Sequence, residues 1–164
     1  MTKNLNNIST IELSYSPNFK MSDKPKVTSA DDVYYLLMNN WNSKTIDLIE
    51  EFKILLFNRQ SRVLGVMSVA KGGFSAVHVD PKVIFSAALK SGASGILLAH
   101  NHPSQNTAPS QQDIKLTNDL LKIAKLHQID IVDHMIVTSD GYFSFVKGNL
   151  IRTQQVGPKA NLLL

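Results

Sequence analysis

Two histidines and one aspartate in the middle of the chain have the residue types and the spacing of a metal site. His100 and His102 are separated by one residue, and side chains at positions i and i+2 of an extended segment point to the same side. Asp113 follows Ser110 by three residues at the expected start of a helix, so both side chains lie on one helix face and point back toward the preceding loop. We therefore expect His100, His102 and Asp113 to reach one ion.

Three nitrogen and oxygen ligands suit a zinc ion and leave a fourth position for water. Two neutral imidazoles and one carboxylate would leave the site with a charge of about +1, which lowers the pKa of a bound water to ~7 in well-studied zinc enzymes. A nearby carboxylate must then take the proton. Glu50 and Glu51 are both candidates, but adjacent strand residues face opposite ways, so only one of them can serve.

Each of these patterns also has a structural interpretation. An H-x-H string alone is a weak signal, because pairs of loop histidines occur by chance. The Ser110-x-x-Asp pattern is also a helix cap, and the serine can cap the helix and bind a reaction intermediate. Glu50 and Glu51 also fit a solvated strand edge. Asp133 and His134 either support a ligating histidine or form a satisfied polar pair in a strand.

The composition of the 164 residues is that of one globular domain, with 43% hydrophobic and 18% charged residues. The absence of cysteine excludes disulfides, thiolate catalysis and cysteine-based zinc sites. No apolar run reaches the ~18 residues of a membrane helix, and the N-terminus lacks a signal peptide, so we expect a cytoplasmic protein. The net charge of +4 is compatible with a nucleic-acid partner, but a mildly basic surface is the favoured interpretation, because the sequence has no dense block of lysine and arginine.

The hydrophobic pattern predicts alternating strands and helices, which is typical of an α/β or α+β layered domain. Helices are expected to begin at three caps, Ser29, Asp80 and Ser110. The predicted strands are an edge strand at 11–15, a hairpin of 50–57 with 62–70, a short strand at 75–79, a buried strand at 95–99, and a hairpin of 129–137 with 142–145.

The string from His100 to Ser104, followed by Pro109 to Asp113, resembles the JAMM (MPN+) metalloprotease motif and is most similar to its RadC branch. The family pattern is H-x-H, seven residues, then S-x-x-D, and residues 103–109 supply the seven. Further similar landmarks lie at 50–52, 81–91, 96–99, 133–137 and 144–145. We accordingly divide the chain into an N-terminal extension (1–28), a RadC-like JAB/MPN domain (29–151) and a C-terminal tail (152–164).

The resemblance implies a cytidine-deaminase-like α/β (α+β) sandwich, in which helices flank a mixed sheet. It implies Zn²⁺ bound by His100, His102 and Asp113, and a Ser110 hydroxyl that steadies the tetrahedral intermediate. In the family a glutamate from an earlier strand acts as general acid and base. It stands two residues before a phenylalanine, so Glu50 is the match and Glu51 the fallback.

Two departures from the RadC pattern are evident. RadC proteins usually carry an N-terminal helix-hairpin-helix module, which we expect to be absent here, and Gln105 stands where glycine is common.

The first hypothesis for the function of the chain is a zinc-dependent hydrolase of peptide or isopeptide bonds. The alternative is a DNA-repair-associated accessory domain whose metal is structural or vestigial, and a third is an inactive scaffold. The sequence is also compatible with assembly of the chain into a homo-oligomer.

Overall fold

A five-stranded mixed sheet forms the centre of this computed structural model, which describes residues 15–73 and 77–151. Most of the predicted edge strand at 11–15, residues 75–76 and the tail at 152–164 lie outside the described residues, and residues 77–79 are not in a strand. The elements, after a short 3-10 turn at Met21–Asp23, are α1 (Ala30–Asn39), β1 (Glu51–Phe57), β2 (Val63–Lys71), α2 (Pro81–Lys90), β3 (Gly95–Asn101), α3 (Gln111–Leu126), β4 (Asp130–Val137) and β5 (Tyr142–Ser144).

The strand order in the sheet is β2-β1-β3-β4-β5. Only β3 and β4 pair in parallel, while the other three neighbouring pairs are antiparallel. Parallel neighbours need a crossover connection, and α3 supplies it here. Because α3 begins shortly after β3 ends, residues at the carboxyl end of β3 lie near the first turn of α3. The predicted mixed α/β architecture is confirmed.

Both faces of the central strands are buried, which explains their continuous apolar sequences. Along β1, Phe52, Ile54 and Leu56 pack in the core that contains α2 and α3. The alternate residues Leu55 and Phe57 pack in a second core with α1. The molecule is therefore a three-layer sandwich, with α2 and α3 on one face of the sheet and α1 on the other.

One irregularity in β4 decides which side chains face α3. The register with β3 pairs Ile96 with Ile131 and then Leu97 with Asp133, so Val132 is an extra residue in β4. Side chains alternate along a regular strand, so Ile131 and His134 would otherwise face opposite sides. Because of the extra residue, His134 faces the same side of the sheet as Ile131, which packs against α2 and α3.

The predicted helix caps are present in the structure. Ser29 and Ser110 each form a capping box with the aspartate three residues later, at the starts of α1 and α3. Asp80 caps α2, with Pro81 at its first position. Among residues 15–73 and 77–151, no helix combines the length and apolar character needed to cross a bilayer.

Candidate metal centre

The structure brings the three predicted metal ligands together. The Nε2 atom of His100 lies 3.0 Å from that of His102 and 3.2 Å from Asp113 Oδ1, and His102 Nε2 lies 3.7 Å from Asp113 Oδ2. One ligand atom from each residue lies within 4.8 Å of the others. A tetrahedral zinc with bonds of about 2.0–2.1 Å separates its ligand atoms by ~3.3 Å, so the donor set and its dimensions fit this ion.

The hydrogen bond of His102 to the backbone determines which of its nitrogens is free. Its Nδ1 atom lies 2.6 Å from the carbonyl oxygen of Asn106. A carbonyl oxygen only accepts, so Nδ1 carries the proton and donates it. In the neutral ring, Nε2 therefore presents a lone pair to the site.

A buried series of hydrogen bonds orients His100 in the same way. The Thr117 hydroxyl donates to the carbonyl oxygen of Asp113 at 2.6 Å, which uses its one proton. Thr117 Oγ1 must then accept from His134 Nδ1, also at 2.6 Å. His134 Nε2 is left to accept from His100 Nδ1 at 2.8 Å, so the Nε2 atom of His100 is unprotonated as well.

His134 can accept this hydrogen bond only while it is neutral, and its surroundings keep it so. The side chain is fully buried. Burial is the main reason that its pKa is well below the ordinary value, and a proton added to His100 would lower it further. The neighbouring Asp133 has a separate structural role, because it accepts from the backbone N–H groups of His134 and Val146.

Two lone pairs 3.0 Å apart repel each other unless a positive charge lies between them. Asp113 adds a negative charge beside them. Burial alone would raise its pKa, but hydrogen bonds from His100 and His102, which form when a proton rather than a metal ion occupies their Nε2 atoms, outweigh burial and hold the pKa well below its usual range. The electrostatic field of these three side chains thus favours a cation.

Asp113 also belongs to the cap of α3. Its Oδ2 atom accepts from the backbone N–H of Ser110 at 2.7 Å, and its own N–H donates to Ser110 Oγ at 3.1 Å. The capping box holds the carboxylate at the helix N-terminus, where the helix dipole favours a negative charge. Ser110 lines the same cleft as the three candidate ligands.

The cleft has a volume of about 560 Å³, and Glu50 lines it together with the candidate ligands and Ser110. Burial raises the pKa of Glu50, against the opposing effect of His100 and His102. A carboxylate with a raised pKa beside a cation site has the properties of a general base.

The side chain of Glu51 is bound by residues of β1 and β2 outside the cleft. Its Oε1 atom lies 3.0 Å from Lys53 Nζ and 3.7 Å from Lys71 Nζ, and it accepts from the Ser68 hydroxyl. Burial would raise the pKa of Glu51, but the hydrogen bonds from Ser68 and Lys53 outweigh burial and lower it. Of the two candidate bases, only Glu50 lines the cleft.

Three residues that sequence analysis did not assign to the site take part in its construction. Thr117 lies four residues after Asp113 on α3, a spacing that could have indicated a shared helix face. Gln105, which replaces the common glycine, has a φ of +63°, a backbone conformation for which glycine is best suited. Its side chain bonds Asp47 and Ser139, and its backbone N–H donates to the carbonyl oxygen of His102 at 3.0 Å. The third residue is Asn101, whose side chain bonds the segment around Glu50.

Several curated proteins are similar to this chain. A UPF0758 protein of Clostridioides difficile is 34% identical over 154 residues, which are 88% of this chain and 65% of that protein. UPF0758 proteins of Porphyromonas gingivalis and Flavobacterium johnsoniae are 40% and 37% identical over 62% and 59% of this chain. The matches cover 45% and 42% of those two proteins, so the chain spans about half of their length.

A family model described as the RadC-like JAB domain matches residues 27–150. This range contains the cleft, the three candidate ligands and all three helix caps. The resemblance noted in the sequence is thereby confirmed, and the chain belongs to the RadC-like JAB domain family.

Proposed function

We propose that this chain is a zinc-dependent hydrolase of amide bonds, with a peptide or isopeptide as its substrate. The observation that carries the proposal is the convergence of two unprotonated imidazole nitrogens and one carboxylate on a single point of the cleft. Membership of the JAB domain family supports the same conclusion.

The donor set favours zinc over harder cations. Two imidazoles and one carboxylate match catalytic zinc sites with three protein ligands, whereas Mg²⁺ and Ca²⁺ prefer oxygen ligands. When bound, zinc would polarise a substrate carbonyl and make water nucleophilic near neutral pH.

Glu50 would act as the proton carrier of the reaction. It lies at the cleft with a raised pKa, so it can accept a proton from water and return it to the leaving amine. Ser110 would donate its hydroxyl hydrogen to the oxygen on which negative charge develops. Removal of such a donor typically costs about 2.7–4 kcal/mol of transition-state stabilisation.

The metal assignment is tested by measuring zinc in the purified protein. We expect about one zinc per chain in the wild type and a clear loss in His102→Ala. His127→Ala is the matched control, because this histidine is the exposed C-cap of α3 and does not line the cleft, so its replacement should leave the zinc content unchanged. Equal, substoichiometric zinc in all three proteins would contradict the proposal.

A DNA-associated accessory role is the second candidate, and the net charge of +4 is the observation that favours it. Phosphate contacts release counterions, so such binding must weaken steeply as salt rises. A titration of duplex DNA at ~50 mM salt tests it, and no detectable binding there would contradict this role.

A further inference from the structure

Asn101 stands between the two candidate histidine ligands but faces the opposite side of the sheet. It is the last residue of β3 and is fully buried. Strand alternation directs His100 toward α3 and Asn101 toward the α1 side. The side chain there is close to the segment that connects α1 to β1, which ends at Glu50.

The amide of Asn101 bonds this segment on both sides of Glu50. Its Nδ2 atom donates to the carbonyl oxygens of Ile46, at 2.5 Å, and Ile49, at 2.8 Å. Its Oδ1 atom accepts from the backbone N–H of Glu51 at 2.7 Å. Both donor hydrogens and the acceptor oxygen are therefore engaged by residues around Glu50.

These bonds lie where the backbone pairing between β1 and β3 ends. The register of the two strands begins with the pair Phe52 and His100. One residue further on, the hydrogen bond to β1 comes from the Asn101 side chain instead of the backbone. On its other side, the backbone of Glu50 exchanges hydrogen bonds with Gly72 and Gly73, which follow β2. Glu50 is thus held between Asn101 and the end of β2.

We propose that Asn101 is a positioning residue. It fixes the position of Glu50 relative to His100 and His102, the two histidines that flank Asn101 in the chain. This inference rests on the proposed function. An amide suits the position because it combines two donors with one acceptor. Aspartate has the same shape but would place an oxygen against the carbonyl oxygens of Ile46 and Ile49, and alanine would leave these groups unpaired.

The experiment compares Asn101→Ala and Asn101→Asp with the wild type, and uses Val33→Ala as a control for lost stability. Val33 is fully buried in the core that α1 forms, and its side chain has no group that could hydrogen-bond the Glu50 segment. The first readout is hydrogen exchange at the Glu51 amide in the full chain. We expect exchange to accelerate about tenfold more in both Asn101 variants than in Val33→Ala, because the acceptor is lost or its segment displaced.

The second readout is the visible spectrum of the protein loaded with cobalt(II), recorded against pH, because the spectrum reports the charge and hydrogen bonding next to the ion. We expect the Asn101 variants to bind cobalt with wild-type stoichiometry. Their pH profile should move toward that of Glu50→Gln, while Val33→Ala keeps the wild-type profile. A merely structural role would lower stability without moving this profile.

Faster exchange at Glu51 with an unchanged cobalt profile would overturn the proposal, as would wild-type exchange in both variants. Should Asn101→Ala fail to fold, Asn101→Asp, which has the same shape, carries the same comparison. If the wild type binds neither zinc nor cobalt, the proposed function fails. The exchange data then still decide whether Asn101 holds the Glu50 segment.

Discussion

The Nε2 atom of His134 lies 2.8 Å from the Nδ1 atom of His100, and neither side chain is appreciably exposed. The contact joins β4 to β3 across residues that are far apart in the sequence. Because His134 donates through its other nitrogen to Thr117, it must accept from His100. The contact thus fixes the proton on one side of the His100 ring and leaves the other side free for a cation.

Replacement of His134 should weaken metal binding without removing a ligand. We expect His134→Phe to lower zinc affinity about 10–100-fold, the usual effect of losing the partner that orients a ligating histidine. Phenylalanine retains the ring that stacks on Phe145 at 4.6 Å between centroids, so the packing change is small. Competition with a chelator measures the affinity.

His134→Gln serves as the conservative variant, because its amide offers an acceptor to His100 and a donor to Thr117. It should recover part of the affinity that His134→Phe loses. Wild-type affinity in His134→Phe would show that the hydrogen bond to His100 does not orient the ligand.

The two adjacent glutamates should give opposite phenotypes. We expect Glu50→Gln to retain zinc and lose amide hydrolysis, because the amide cannot accept the proton. Glu51→Gln should leave the zinc site intact but lower the free energy of unfolding by roughly 3 kcal/mol, since it removes the partner of the buried Lys53. Zinc content, urea unfolding and hydrolysis of a pooled peptide and isopeptide library separate the effects. Loss of hydrolysis in a folded Glu51→Gln would reverse the assignment of the base.

The capping boxes of α1 and α3 provide a matched pair for Ser110. Ser29→Ala and Ser110→Ala each remove an N-cap hydroxyl, so each should lower the free energy of unfolding by about 1 kcal/mol. Only Ser110→Ala should also reduce the rate of hydrolysis, because only Ser110 lines the cleft. Equal hydrolysis by the two variants, after correction for the folded fraction, would leave Ser110 with a capping role alone.

Asp133 should make the protein less stable as pH rises, the opposite of the usual effect of a carboxyl group whose pKa is lowered by folding. Burial raises its pKa to about 6 in the folded chain from the ordinary value of 3.8. Between these values the folded state binds a proton that the unfolded state lacks, so the contribution of Asp133 to the free energy of unfolding falls as pH rises through this window. Asp133→Asn removes the titration.

We therefore expect the stability of Asp133→Asn relative to the wild type to increase as pH rises from 3.8 to about 6, and to change little well above that range. Urea unfolding of both proteins with a chelator present measures the difference, because effects of the metal and of the histidines then cancel. A difference that stays constant with pH would contradict the assignment of a raised pKa to Asp133.

Local patterns in the sequence were sufficient to predict the helices and most of the strands and to identify the candidate metal ligands. Cap residues and hydrophobic periodicity indicate where α1, α2 and α3 begin, because capping depends on neighbours three residues apart. His100, His102 and Asp113 could be nominated for the same reason, since strand and helix periods place them on shared faces. The family resemblance then favoured Glu50 over Glu51 as the base and implied that Ser110 steadies the tetrahedral intermediate.

Only the tertiary structure decided which of two adjacent glutamates lines the cleft and which residues hold the ligands in place. Strand alternation requires Glu50 and Glu51 to face opposite ways but does not say which way either faces. The extra residue in β4 shifts that alternation for His134, and no local pattern marks it. Asn101 bonds residues about 50 positions earlier in the chain. Such contacts arise only when separate strands pack side by side, so they depend on the whole fold rather than on any short stretch of sequence.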